Sequence, residues 1–98
     1  MPGQSSRSLL DSSEAATRLA TLAGWRIDGS ELVKAYKFEN FVQAVDFVNA
    51  ITRVAEVQNH HPYLLVRWGE VTVRVTTHSA GGLTAKDFEF AAAIDVPR

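Results

Sequence analysis

The sequence predicts an α+β domain: two layers, with a four-stranded antiparallel sheet carrying its helices on one face, in the order α-β-β-α-β-β-α. Three observations carry this prediction. Two stretches, Trp25 to Phe38 and Tyr63 to His78, each set turn residues between β-prone runs. Three other stretches repeat apolar residues at helical spacing. Hairpins separated by helices build an antiparallel sheet with helices segregated to one side. At 98 residues and 46% apolar composition, the chain holds one modest core.

Residues Met1 to Ser8 (MPGQSSRS) are small and polar and read as a flexible tail, leaving 9–98 as a single domain. Asp11 and Glu14 have capping-box spacing. Ala15, Ala16, Leu19, Leu22 and Ala23 then share a helical face, with Gly24 as the expected stop. In the first hairpin the turn is Asp28-Gly29-Ser30. Its second strand alternates imperfectly, because Lys34 shares a parity with Leu32, Tyr36 and Phe38. Asn40 caps the second helix, whose stripe is Ala44, Phe47, Val48, Ile51, Val54 and Ala55. That helix ends near Asn59 or His60, since the residue before Pro62 disfavours the α region.

In the second hairpin, Trp68-Gly69-Glu70-Val71 suits a two-residue turn with glycine at its first central position. That register sets Trp68 opposite Val71, Val66 opposite Val73 and Leu64 opposite Val75, all on one face. Trp68 is then a core residue. The last helix starts at Thr84 and turns Phe88, Ala91, Ala92 and Ile94 towards the core.

A net charge of -1 gives no electrostatic case for binding nucleic acid or an anionic membrane. No apolar run approaches the ~20 residues that span a bilayer. The absence of cysteine excludes a disulfide framework and thiolate chemistry. A soluble cytoplasmic protein is the expectation.

The chemistry-bearing feature is "VAEVQNHHPYLLVRW", which holds two of the three histidines side by side. If the hairpin register extends to its open end, His61 lies across from the third, His78, and residues far apart in sequence form one site. Three readings compete. His60 and His61 can serve as donors to the free carbonyls of a helix end. They can ligate a metal, but adjacent histidines diverge on a helix or strand, and no HxH or HxxxH spacing is present. Or the imidazoles can move protons at neutral pH, acid on one side of a small molecule and base on the other. Glu56, four residues before His60, could orient that imidazole, or form an ordinary exposed pair. Asp87, three after Thr84, closes a capping box and could aim its other oxygen at the site.

The set Glu56-x3-His60-His61-Pro62, five residues, Trp68, nine residues, His78, eight residues, Asp87 resembles the signature of the pterin-4a-carbinolamine dehydratases. So do "TTHSAGGLTAKDF" and "LAGW", and the likeness runs from about Leu10 to Asp95. The resemblance implies two ββα units sharing one sheet behind an N-terminal helix. It implies dehydration of 4a-hydroxytetrahydrobiopterin to quinonoid dihydropterin, with no metal or organic cofactor, by a homodimer or homotetramer. Carried over, His60, His61 and His78 become the acid/base and substrate-binding set. Glu56, Asp87, Thr77 and Ser79 become substrate-binding or orienting residues. Asn59 and Ser79 stand where relatives often carry an acid, and Tyr63 where Asp or Glu is frequent. Some relatives serve instead as dimerisation partners of a transcription factor, so a non-catalytic protein-binding or coactivator module on the same fold is the alternative.

Overall fold

A computed structural model describes residues 8–96. Most of the expected tail therefore lies outside the described residues. The elements follow the anticipated order: α1 (Ser12–Leu19), β1 (Arg26–Asp28), β2 (Glu31–Lys37), α2 (Phe41–Gln58), β3 (Tyr63–Arg67), β4 (Glu70–Val75) and α3 (Ala85–Ile94). A short 3₁₀ turn, His78–Ala80, joins β4 to α3. The four strands form one antiparallel sheet in the order β1-β2-β4-β3. Among the described residues no helix is long and apolar enough to cross a membrane.

Local hydrogen bonding starts each helix. Asp11 accepts from the Glu14 amide and Glu14 reaches back to the Asp11 amide, which closes the box at α1. Asn40 accepts from the Gln43 amide at α2. However, α1 stops a turn before Gly24, with Leu22 and Ala23 in the connecting turns. Gly24 is still favoured there because its φ of +83° lies in the left-handed region, and the end of the Lys34 side chain passes 3.0 Å from where a Cβ would sit.

The core lies between one face of the sheet and the helices. Leu32, Val71, Val73 and Val75 meet Phe47 and Ile51 of α2, with Phe88, Phe90, Ala91 and Ile94 of α3. Of the residues its spacing turned inward, α3 buries Phe88, Ala91 and Ile94, but Ala92 is exposed and Phe90 is fully buried in its stead. Lys34 does share the core parity. Its ammonium escapes burial by reaching the end of the sheet, where it donates to the Ala23 carbonyl at 2.9 Å and to Asp95 at 3.1 Å.

The second hairpin corrects the sequence reading. Val66 pairs with Val71, Leu64 with Val73 and Tyr63 with Arg74, so the register differs by two residues and the turn is Trp68-Gly69. A shift of two preserves which side chains face inward, so the valines remain in the core. Trp68 does not: it sits in the turn and is 69% exposed. Contact with β2 favours this register. The Gly69 carbonyl accepts from the Phe38 amide at 2.8 Å, and a Cβ on Gly69 would meet the Phe38 carbonyl oxygen at 3.0 Å.

Candidate active site

The site is built where α2 ends, β4 ends and α3 begins. Asn59 stops α2 in the left-handed region, φ 49° and ψ 47°. The His60 amide then donates to the Ala55 carbonyl at 3.0 Å and the Asn59 amide to the Glu56 carbonyl at 3.3 Å. This pair of bonds is a Schellman stop, and asparagine is among the few side chains that tolerate it. The helix therefore ends through Asn59 itself, with Pro62 starting the extended chain beyond.

Reversal at Asn59 sends the two histidines to different partners. His60 turns inward, 7% exposed, with its ring edge-on to Phe90 at 6.2 Å between centroids. Its Nε2 lies 2.6 Å from Oδ1 of Asp87, which is fully buried. His61 stays on the surface, its Nε2 2.6 Å from Oε2 of Glu56, which is also exposed. The sequence expectation paired Glu56 with His60 on helical spacing. Once Asn59 leaves the helix that spacing no longer applies, and Glu56 meets the next residue instead.

Asp87 is both a helix cap and a histidine partner. Its Oδ2 accepts from the Thr84 amide at 2.9 Å and from the Thr77 hydroxyl at 2.8 Å. The Thr77 and Thr84 hydroxyls are themselves 2.8 Å apart, and all three residues are buried. Every buried polar side-chain atom among the described residues has a partner, as burial of such groups demands.

His78 opens the 3₁₀ turn and is exposed. A bridge between Thr77 and Gly82 closes the loop, with Gly81 at φ +79° completing it. His78 does not pair across the hairpin with His61, since β3 and β4 end at Tyr63 and Val75. The convergence arises differently. His60, His61 and His78 all line one cleft of about 320 Å³, together with Thr77, Ser79, Asn59, which the sequence marked only as a helix end and a missing acid, and Thr76, which was not named as a site residue. Lys86 lines it as well. Glu56 and Asp87 hold their histidines from outside that lining. Thr84 was missed as part of the site. Its signal was its place at the capping box that Asp87 closes.

A larger concavity of about 630 Å³ lies at the opposite end of α3, near Lys34, Tyr36, Phe47 and Asp95. Its carboxylate is already engaged by Trp25, Lys34 and Tyr36. Size points there, but titratable groups converge at the smaller cleft, and chemistry is the better guide to an active site.

Acid/base groups line a polar cleft on this α+β fold, an arrangement suited to chemistry on a small molecule. The family model described as pterin 4 alpha carbinolamine dehydratase matches residues 8–96, and the chain belongs to that family of hydro-lyases. It is 44% identical over 87 residues to the "Putative pterin-4-alpha-carbinolamine dehydratase" of Roseiflexus castenholzii, covering 89% of this chain and 94% of the relative. With the protein of the same name from Dechloromonas aromatica, identity is 48% over 86 residues, covering 88% and 77%. Among solved structures it resembles a transcriptional coactivator/pterin dehydratase from Brucella melitensis, with TM-score 0.83 and 32% identity over 88% of this chain and 94% of that one. A pterin dehydratase-like RuBisCO assembly factor of the alpha-carboxysome shares the fold, with TM-score 0.63 at 24% identity over 74% and 86%.

Proposed function

We propose that this protein dehydrates 4a-hydroxytetrahydrobiopterin to quinonoid dihydropterin and water by histidine acid/base catalysis, in pterin recycling. The observation that carries the reading is the single cleft shared by three imidazoles, two of them each hydrogen-bonded to a carboxylate. In the reaction the bond from C4a to the hydroxyl oxygen breaks. One imidazolium gives that oxygen a proton so that it leaves as water, and the ring loses a proton to a neutral imidazole. His60 and His78 are the proton donors, one for each face of the pterin. His61, exposed and held by Glu56, binds and positions the substrate. Thr77 and Asp87 orient His60, and Ser79 offers a hydroxyl at the rim. Each well-placed acid or base contributes roughly 10²–10⁴-fold.

The protein-binding alternative has no use for a buried histidine–aspartate pair opening onto a cleft, which favours the enzyme. A cytoplasmic homodimer or homotetramer completes the reading, and sedimentation equilibrium distinguishes those two assemblies from a monomer. The deciding measurement is the dehydration rate above the spontaneous reaction for wild type, His60→Ala and His78→Ala. A loss of about 10²–10⁴-fold is expected in the variants. A wild-type rate equal to the spontaneous one, or two unaffected variants, overturns the proposal.

A further inference from the structure

The hydrogen bonds behind His60 have only one consistent direction. The Lys86 amide donates to the Thr84 hydroxyl oxygen at 3.2 Å. That hydroxyl can then pass its own hydrogen to Thr77 Oγ1, 2.8 Å away, and Thr77 passes its hydrogen to Asp87 Oδ2 at 2.8 Å. The reverse order fails, because Thr77 would spend its hydrogen on Thr84 and leave its contact with the carboxylate without a proton. Asp87 Oδ2 also receives the Thr84 amide, so this oxygen is saturated by donors. As a carboxylate, Asp87 can only accept at Oδ1 as well, so the 2.6 Å contact requires His60 Nε2 to carry hydrogen. His60 Nδ1 has no protein partner among the described residues, and it is not sealed from solvent.

We infer that Thr84 and Thr77 are positioning residues that fix the tautomer of His60: they lock Asp87 as an acceptor, so Nε2–H is held and Nδ1 alone faces the cleft as the reacting atom. Resting on the dehydratase reading, this sharpens it. The imidazolium gives its Nδ1 proton to the departing hydroxyl, and neutral Nδ1 takes back the ring proton. The histidine returns to its starting state, and Nε2–H never leaves Asp87. The chain also predicts the behaviour of Asp87→Asn. Thr77 and the Thr84 amide both donate to the same position, so they select the amide oxygen there and turn the NH₂ towards His60. That NH₂ needs an acceptor at Nε2, which moves the hydrogen to Nδ1.

Nitrogen-15 NMR correlations of the histidine rings read the tautomer directly, with or without enzymatic activity. Neutral His60 is expected as Nε2–H in wild type and as Nδ1–H in Asp87→Asn. Nδ1–H in wild type, or Nε2–H retained in the folded variant, overturns the inference and leaves the dehydratase proposal standing. In dehydration assays, Thr77→Val is expected to lower kcat on the order of tenfold with KM little changed, and Thr77→Ser to restore it. A Val variant at full kcat, or a Ser variant as slow as Val, also overturns it.

Discussion

At φ 49°, Asn59 turns the chain so that two consecutive histidines find carboxylates on different helices, Asp87 of α3 and Glu56 of α2. A continuous helix would instead have stacked His60 over Glu56. The neighbouring asparagine was therefore informative, but as a backbone device rather than as a missing acid. A residue with an ordinary Cβ pays about 1–2 kcal/mol in the left-handed region, while glycine is free to adopt it. Asn59→Ala should therefore lose roughly that much stability in urea denaturation, and Asn59→Gly should stay close to wild type. Because the same turn aims His60, the alanine variant should also lose kcat. An alanine variant as stable and active as the glycine one would show that the turn is held by its surroundings.

Among the elements, the second hairpin shows what pattern can and cannot specify. Alternation placed Leu64, Val66, Val71, Val73 and Val75 on one face, and they are there. It could not separate two registers that differ by two residues, since both bury the same side chains. Contact between Phe38 and Gly69 separates them. The observed register also sets Glu70 opposite both Lys37 and Arg67. The Lys37 hydrogen bond, 2.9 Å long, is the main cause that holds the Glu70 carboxyl below its ordinary 4.5, with the charges of Lys37 and Arg67 adding to it against partial desolvation. A depressed folded value means that the unfolded chain binds the proton first as pH falls. Glu70 thus stabilises the fold fully above the ordinary value and loses that contribution as pH drops through the lower folded value. Thermal melts of wild type and Glu70→Gln should differ near pH 7 and converge in acid. A gap that widens as pH falls would contradict this sign.

Across the whole molecule, α3 is anchored at both ends by a carboxylate. At its start Asp87 joins Thr77 and His60, and at its end Asp95 accepts from Trp25 Nε1 at 2.8 Å, Lys34 at 3.1 Å and the Tyr36 hydroxyl. The two clusters differ in use. Asp95 has donors from the sheet side alone and no histidine, so its role is to dock the helix. Asp95→Ala strands several partly buried donors, which costs about 1–3 kcal/mol. That loss should appear in chemical denaturation while dehydration kinetics stay near wild type under conditions where the variant is folded. Equal loss of kcat would mean that the two ends of α3 are coupled.

Much of this was legible in the sequence. Element order, the capping residues of all three helices and the inward face of the second hairpin follow from periodicity and from bonds between residues three or four apart, which are local properties. The three histidines of the cleft, with Thr77 and Ser79, were also named from the sequence through its resemblance to a known family, whereas Thr76 and Lys86 were not named as part of the site. Pairing within the site was not legible. Whether Glu56 serves His60 or His61 turns on the sign of one backbone angle, and whether Asp87 reaches His60 turns on how α3 docks against α2. Hairpin register and the exposure of Trp68 turn on a close approach between β2 and the β3–β4 turn. Each of these is settled by contacts between segments distant along the chain, and alternation or helical spacing carries no record of them.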